Sequence, residues 1–329
     1  MNQGFPLSGA STRRSILAAG AAFAIGITAF LPSLAQADDY PSKPITLYIG
    51  YGPGGQTDVV GRGVAKVLAD QLGVPINVVN KPGAGGALAA SQLKKEAPDG
   101  YTAMFHTNSV VDADPFMSAR INFKPDDFDY AGMVTAFQQG LAAPKDAPYD
   151  SIQEYVAWAK KNPGSVFGSL SPLSKMYIDQ IAKREGLDVN VMPLASGSEM
   201  INALLGKQAA LVLSGGIHYR YPEETKTIVA TTTFRHVSAP DVGTIDEAGY
   251  GLGIDARTTL ILPKGTPRDI LGKLSTALKA TETDEEFKAI VSAADIPIMY
   301  MDLDQAAAEI AKNYAKNKAI FEKAGIVPQ

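Results

Sequence analysis

Two glycine-rich turns that follow predicted strands carry the clearest potential for chemistry in this sequence. Gly50, Gly52 and Gly55 come directly after the apolar run 45–49, and a second turn at 82–86 follows the apolar run 76–79. Glycine lets the backbone approach a ligand and point its N–H groups inward, and the N-terminus of a following helix adds positive potential. The turns are therefore suited to holding an anion without changing it. Tight turns that bind nothing would use the same glycines.

A dinucleotide site is the alternative interpretation of the first turn. Gly50, Gly52 and Gly55 match the spacing G-x-G-x-x-G after a strand. However, Pro53 lies inside the turn and has no N–H to offer a pyrophosphate. The second strand ends in Asn80-Lys81, where a nicotinamide site requires Asp or Glu. We therefore predict no cofactor.

The residue types of most catalytic and metal sites are missing or badly spaced. The chain has no cysteine, which excludes thiolate ligands and cysteine nucleophiles. Its three histidines, His106, His218 and His236, do not stand at metal-ligand spacing. No nucleophile elbow G-x-S-x-G and no H-E-x-x-H pair occurs. The sequence thus favours a binding protein over an enzyme, and it predicts no metal site.

Strands, glycine turns and helices alternate three times at the start of the chain. Apolar residues from Val59 to Leu68 fall at helical spacing after the first turn, and either Thr57 or Asp58 is predicted to cap that helix. Such alternation predicts an α/β fold with a parallel sheet covered by helices. Ligands bind at the carboxyl ends of the strands in such sheets. Both turns and the pair Thr107-Asn108 are expected at these ends.

A second α/β unit follows a predicted crossing at 140–148. Helices and strands alternate again from residue 152, and a strand at 258–262 is expected to return to the first unit, which a helix at 305–324 completes. Two such units joined by two crossings indicate a cleft that closes by hinge motion. The predicted segments are 38–142 for the first part of lobe 1, 143–257 for lobe 2 and 258–329 for the second part of lobe 1.

The N-terminus has the pattern of an export signal. Arg13 and Arg14 precede the apolar run 16–31, and Ala35-Gln36-Ala37 is a small-x-small cleavage pattern. Residues 1–37 are therefore predicted to be a signal peptide that is cleaved after Ala37, which places the mature protein in the periplasm. The paired arginines resemble a twin-arginine signal, and the general secretory route remains an alternative.

Overall charge limits the possible partners. The formal net charge is -4, so the chain lacks the basic surplus that neutralises phosphates in nucleic-acid complexes. We predict no nucleic-acid partner.

Several motifs together resemble the solute receptors of tripartite tricarboxylate transporters, often called the Bug family. The resemblance covers nearly the whole chain after residue 39. Its motifs are Tyr40-Pro41-Ser42-Lys43-Pro44-Ile45, Gly52-Pro53-Gly54-Gly55-Gln56-Thr57-Asp58, Asn80-Lys81-Pro82-Gly83-Ala84-Gly85-Gly86, Ala97-Pro98-Asp99-Gly100-Tyr101-Thr102, Thr107-Asn108 and Pro263-Lys264-Gly265-Thr266-Pro267.

The resemblance implies a two-lobed periplasmic binding protein of the type II-like class, with two parallel-type sheets flanked by helices and a ligand held in the cleft between the lobes. It implies capture of a small organic acid, such as a di- or tricarboxylate, by a monomer that delivers it to a two-component membrane permease. A sensory module for a signalling system and, less favoured, a periplasmic enzyme remain alternatives. The ligand contacts that it implies are Gly54, Gly55, Thr57, Asp58, Gly85, Gly86, Thr107, Asn108, Ser169 and Ser174.

We add two further residues to the predicted site because of where they lie in the sequence. Tyr51 lies within the first glycine turn and is a candidate aromatic wall. Arg257 stands just before the predicted return crossing, where the family often has an aromatic residue, and its guanidinium is suited to bidentate pairing with a second ligand carboxylate. A structural or surface role for Arg257 is the alternative. This chain also has Tyr177 at a position where the family often carries His. The difference concerns the identity of the ligand.

Overall fold

Strands and helices alternate along the chain in the computed structural model, which describes residues 40–170, 172–194 and 197–328. The strands of the described residues are β1 (Ile45–Ile49), β2 (Ile76–Asn80), β3 (Thr102–Thr107), β4 (Phe128–Ala136), β5 (Gly140–Pro144), β6 (Ser165–Ser169), β7 (Val189–Pro193), β8 (Leu211–Ser214), β9 (Thr225–Ala230), β10 (Arg257–Pro263) and β11 (Ile298–Met301). The helices are α1 (Gln56–Leu72), α2 (Ala87–Leu93), α3 (Ser109–Asp112), α4 (Ile152–Ala159), α5 (Pro172–Glu185), α6 (Gly197–Leu205), α7 (Arg268–Lys279), α8 (Glu285–Ser292) and α9 (Leu303–Ala324).

The strands form two separate sheets. One sheet has the order β11-β4-β10-β3-β1-β2 and the other has the order β7-β6-β8-β5-β9. The strands β1, β2 and β3 are mutually parallel neighbours, as are β6, β7 and β8, which agrees with the predicted strand–turn–helix units. Each sheet is mixed rather than wholly parallel, because β4, β5, β9, β10 and β11 pair antiparallel. The fold is therefore the predicted α/β class with two lobes.

Burial of apolar side chains fixes the helices on the sheets. Helix α1 buries Val60, Val64, Val67 and Leu68 against one face of the first sheet, in a core that contains Phe105. Burying a side chain of this size contributes about 1.5–3 kcal/mol. This packing holds the N-terminus of α1 at the carboxyl end of β1.

Two extended crossings connect the lobes and run side by side. The Phe137 amide donates to the Ala256 carbonyl over 2.8 Å, and the Thr231 amide donates to the Gln139 carbonyl over 2.8 Å. The chain leaves the first sheet after Ala136 and returns to it at Arg257. The segment 140–144, which the sequence placed in the crossing, is instead strand β5 of the second sheet. Two paired crossings of this kind are the usual elements of a hinge.

Helix α9 packs on the first lobe, as the sequence predicted, and also on the second. Ala306 and Ile310 pack in a core of the first lobe, and Ile320 and Phe321 pack in a core of the second. Its N-terminus is fixed by the capping box of Asp302 with Gln305. The final helix therefore ties the two lobes together in addition to the two crossings.

The predicted signal peptide at 1–37 lies outside the described residues. No helix within the described part of the chain is long and apolar enough to cross a membrane.

Candidate functional site

The two glycine turns lie against each other at the carboxyl ends of β1 and β2. A Cβ placed on Gly50 would stand 2.6 Å from the Cα of Gly86, closer than real atoms approach. The ring Nε2 of His106, in β3, lies 2.9 Å from the Gly85 carbonyl oxygen. Only residues without a side chain allow this contact between backbones. The predicted meeting of the glycine turns and the end of β3 is therefore present.

Tyr51 and His106 form an aromatic pair beside these turns. Their ring centroids are 4.4 Å apart, and Tyr51 keeps 39% of its surface exposed. Complete burial lowers the pKa of His106 to about 4, so its imidazole is neutral and Nε2 donates to the Gly85 carbonyl. Tyr51 thus lies partly exposed beside the glycine turns, and His106 holds the second turn in place.

Asp58 holds the first glycine turn in place through hydrogen bonds and does not cap α1. The N-cap residue is Gly55, and Thr57 and Asp58 lie within the first turn of the helix, so the predicted cap was wrong. The two carboxylate oxygens of Asp58 accept hydrogen bonds from the Gly54 amide over 2.9 Å, Arg62 Nε over 3.0 Å and Asn80 Nδ2 over 2.7 Å. These bonds occupy both the Asp58 carboxylate and the Gly54 N–H within the protein.

The pKa of Asp58 reflects these contacts. Burial alone raises the pKa of a carboxyl group, but the hydrogen bonds from Arg62, Asn80 and Gly54 outweigh burial here and the pKa is lowered. Asp58 is therefore a carboxylate at neutral pH. Its contribution to stability is present above the pKa of an unfolded Asp and is lost as the pH falls through the lowered value.

The N-terminus of α1 offers backbone donors that no side chain caps. The first N–H groups of a helix have no intrahelical partner, and no side-chain cap accepts from those of α1. Thr57 lies there with 4% of its surface exposed. These N–H groups, together with the positive end of the helix dipole, can hold a carboxylate.

Gln56 is a residue of this site that the sequence analysis missed. Its Oε1 lies 3.5 Å from the place where a Cβ on Gly215 would stand, so it reaches the second lobe just after β8. Its Nε2 is buried without a hydrogen-bond partner among the described residues. Its position between Gly55 and Thr57 was visible in the sequence, but its approach to Gly215 depends on the tertiary fold.

Thr107 and Asn108 differ in their surroundings. Thr107 Oγ1 lies 3.0 Å from Ser109 Oγ at the end of β3. Asn108 is fully buried and joins β3 to the returning crossing. Its Nδ2 donates to Asp112 Oδ2 over 2.6 Å and to the Asp255 carbonyl over 3.3 Å, and its Oδ1 accepts from the Arg257 amide over 2.6 Å. The side chain of Asn108 is thus engaged inside the protein.

Arg257 begins β10 and is 6% exposed. Its Nε is buried without a partner among the described residues, Nη2 lies 3.9 Å from Asp255 Oδ2, and Nη1 donates to Met299 Sδ over 3.6 Å. The Phe234 ring lies 5.4 Å from the guanidinium carbon. Asp255 accepts closer bonds from the Thr233 backbone and hydroxyl. The structure therefore excludes a surface Arg and leaves this buried guanidinium with few strong acceptors.

The second lobe supplies two buried serines. Ser169 Oγ, at the end of β6, lies 2.7 Å from Ser174 Oγ on α5. Nearby Tyr177 is fully buried, and its hydroxyl donates to the Leu252 carbonyl over 3.0 Å. The two serines thus lie together near the carboxyl end of β6, while the Tyr177 hydroxyl contacts the segment that leads back to the first lobe.

A buried chain of hydrogen bonds occupies the other two histidines. Burial lowers the pKa of His218 to about 3 and that of His236 to about 4, so both are neutral near pH 7. In order, the chain runs Ser214 Oγ, His218, Thr227 Oγ1, Tyr219 OH, His236 and Thr232 Oγ1, with steps of 2.6–3.1 Å. It links the end of β8 with the loop after β9. The arrangement stabilises the second lobe and leaves no histidine exposed as a base.

Within residues 40–170, 172–194 and 197–328, neither a cluster of metal ligands nor either of two surface pockets lies at these strand ends. No group of three or more His, Asp or Glu side chains within the described residues is arranged to hold a metal ion. A pocket of about 480 Å³ lies between the C-terminal end of α1 and α7, near Tyr40. Another of about 280 Å³ lies on the second lobe around Arg235 and Glu247. Neither includes the glycine turns, which lie where the two lobes face each other.

Comparison with known proteins identifies the family. The model of the tripartite tricarboxylate transporter family receptor matches residues 60–326, which is most of the chain. The chain belongs to this family.

The relatives agree with this assignment. The receptor is 35% identical over 314 residues to the "UPF0065 protein in gbd 5'region" of Cupriavidus necator, which covers 94% of this chain and 95% of that protein. The structure of the periplasmic binding protein BugD has a TM-score of 0.74 at 25% identity and covers 88% of this chain and 100% of BugD. Rpa4515 of Rhodopseudomonas palustris, solved with adipate, has a TM-score of 0.76 at 21% identity and covers 88% of this chain and 100% of that chain. The last likeness concerns the fold alone.

Proposed function

We propose that this receptor captures a small dicarboxylate in the periplasm, between its two lobes, and delivers it unchanged to a tripartite tricarboxylate transporter permease. Export follows from the signal pattern at 1–37, with cleavage after Ala37. Membership of the receptor family supports delivery to a permease. The protein acts as a monomer, makes and breaks no covalent bond and needs no cofactor.

The observation that carries the proposal is the group of anion-binding donors at the carboxyl ends of the strands. The N-terminus of α1, which no side chain caps, directly follows the first glycine turn, and this turn contacts the second one at Gly50 and Gly86. Gln56 adds a buried amide donor that has no protein partner among the described residues. In the proposed complex one carboxylate of the ligand accepts from the N–H groups of Gly55, Thr57 and, in the second turn, Gly85, because the Gly86 N–H already donates to the Gly83 carbonyl.

The second lobe completes the site when the hinge closes. Ser169 stands at the end of β6 and Ser174 on α5, and their hydroxyl groups bind the ligand from the other side of the cleft. Burial between two lobes excludes water, which strengthens each polar contact. Selectivity then depends on whether a ligand satisfies the buried donors of both lobes.

A thermal-shift screen tests the proposal. The purified protein is heated with acetate, benzoate, C3–C6 dicarboxylates, citrate, amino acids and nucleotides. A ligand that binds only the folded state at a hundred times its Kd stabilises it by about 2.7 kcal/mol. We expect a clear rise in Tm with dicarboxylates. A rise with nucleotides alone, or no rise with any acid, contradicts the proposal.

Arg257 is proposed to bind the second carboxylate of the ligand. Its guanidinium has an unpartnered Nε and only a loose ion pair with Asp255, so it retains donors for a bidentate contact. Replacing Arg257→Gln is expected to weaken dicarboxylate binding by about tenfold to a hundredfold, the value of a charge-assisted hydrogen bond. Isothermal titration with adipate and with its monocarboxylate analogue hexanoate measures this.

The two ligands distinguish the role of Arg257 from a general loss of structure. Hexanoate lacks the second carboxylate, so Arg257→Gln should leave its affinity nearly unchanged. Arg235→Gln is the matched control, because Arg235 pairs with Glu247 on the exposed surface of the second lobe. An equal loss of affinity for adipate and hexanoate would assign Arg257 to the hinge instead.

A further inference from the structure

Asp114 is an acidic residue of the cleft that the proposed function leaves without a role. It lies in a short 3₁₀ turn, 114–116, between α3 and β4. Its neighbours Ala113 and Phe116 pack against the core of the second lobe, so the turn stands where the lobes meet. Asp114 Oδ2 lies 3.6 Å from the place where a Cβ on Gly85 would stand. The carboxyl group therefore borders the second glycine turn.

The carboxyl group of Asp114 stands without a partner among the residues that the structure describes. Within the described part of the chain it makes no hydrogen bond and no ion pair. The titratable groups around it are Tyr51 from the first turn, His106 from β3, and Asp112 from α3. Tyr51 and His106 are neutral near pH 7, and Asp112 is a fully buried acid whose pKa burial raises well above its usual range. None of these three groups thus supplies a positive charge.

We propose that Asp114 contacts the ligand as a neutral acid and donates its proton in a hydrogen bond to a carboxylate oxygen of the bound dicarboxylate. This inference rests on the proposed function, because it adds one donor to the wall of the same site. The proton stays between the two oxygens, and no covalent bond to the ligand forms. An ionised Asp114 would repel the anion. An ionised Asp114 must therefore take up one proton when the dicarboxylate binds.

The titration of Asp114 sets the pH range of this linkage. Burial raises the pKa of Asp114 to about 7. Simple dicarboxylates are largely ionised at pH 6 and fully ionised above about pH 7, since carboxyl pKa values are about 4 and the first negative charge raises the second value. The pKa of Tyr51 is raised to about 12 and that of His106 is lowered to about 4, so neither group changes charge between pH 6 and 9. Affinity should then fall with rising pH through the pKa of Asp114.

Calorimetric titration with adipate at pH 6 and pH 9 tests the inference. For the wild-type protein we expect the Kd to rise about a hundredfold over this range, since affinity falls about tenfold for each pH unit above the pKa. Asp114→Asn replaces the acid with an amide that donates at every pH. This variant should bind adipate at both pH values with Kd values within about threefold of each other.

Two matched variants separate Asp114 from other acids. Asp112→Asn keeps an oxygen that can accept from Asn108 Nδ2 and removes the second buried carboxyl group. Asp126→Asn changes an acid whose side chain is 84% exposed on a surface turn. Both should retain the hundredfold pH dependence.

The possible outcomes are distinct. A wild-type Kd that does not change with pH, or that is lower at pH 9, overturns the inference. It would show that Asp114 is ionised in the complex or that it does not contact the ligand. So does an Asp114→Asn variant with the wild-type pH dependence. If no acid of the screening panel binds the wild-type protein at pH 6, the proposed function itself fails and the inference falls with it.

Discussion

Replacing Gly86→Ala is expected to destabilise the receptor by roughly 3 kcal/mol and to abolish detectable adipate binding. Gly86 has a φ of +96°, which side chains rarely adopt, and a Cβ there would lie 2.2 Å from His106 Nε2. The imidazole is fully buried, so it cannot rotate into open space. The substitution must therefore separate the second turn from β3, which breaks the hydrogen bond from Nε2 to the Gly85 carbonyl.

Gly54→Ala is the matched control for this substitution. Gly54 also has a positive φ, +84°, but no atom lies within 4 Å of a Cβ placed there. Only backbone strain remains, at a cost of about 1 kcal/mol. Urea unfolding measures both variants. If Gly86→Ala unfolds at the same urea concentration as Gly54→Ala, the contact between the second turn and His106 does not organise the site.

Replacing Asn108→Ala should lower the free energy of unfolding by about 3 kcal/mol or more. The variant leaves the Arg257 amide and Asp112 Oδ2 without their partner in a region that water does not reach. Each unsatisfied buried group costs about 1–3 kcal/mol. The loss should appear as a lower urea midpoint, because Asn108 joins β3 to the returning crossing.

Asn190→Ala provides the comparison for Asn108. Asn190 is exposed on β7 and donates one hydrogen bond, to the Gly164 carbonyl over 3.1 Å. Its removal should change the free energy of unfolding by no more than about 0.5 kcal/mol. Equal midpoints for the two variants would mean that Asn108 does not hold the hinge, and its side chain would again become a candidate ligand contact.

Local patterns in the sequence predicted much of the fold. The strands β1 and β2 were predicted because each is a short apolar run that a glycine turn follows, and the helix α1 because its apolar residues fall at helical spacing. Strand β5 was missed because its sequence, Gly-Leu-Ala-Ala-Pro, has small residues and no β-branched side chain. Its strand conformation depends on its pairing with β8 and β9 on either side. A pattern within one segment cannot reveal such pairing.

The candidate site was predictable in position but not in its hydrogen bonds. The glycine turns and Thr107 meet as expected, because the carboxyl ends of parallel strands share one edge of a sheet. The partners of Asp58 come from another turn of α1, at Arg62, and from the end of β2, at Asn80. Because of these tertiary contacts, Asp58 holds the first glycine turn in place instead of capping α1. Gln56 and Asp114 were missed because what marks them is a lack of hydrogen-bond partners among the described residues, which only the tertiary structure reveals.

Calorimetric titration of the purified protein with adipate at pH 6, followed by NMR analysis of the recovered ligand, tests the central claim most directly. We predict one adipate bound per protein molecule and recovery of the acid without chemical change. If neither millimolar adipate nor the shorter dicarboxylates at the same concentration give a heat of binding, the result contradicts capture of this ligand class. Conversion of the acid into another compound would contradict the claim that the protein binds and delivers its ligand without chemistry.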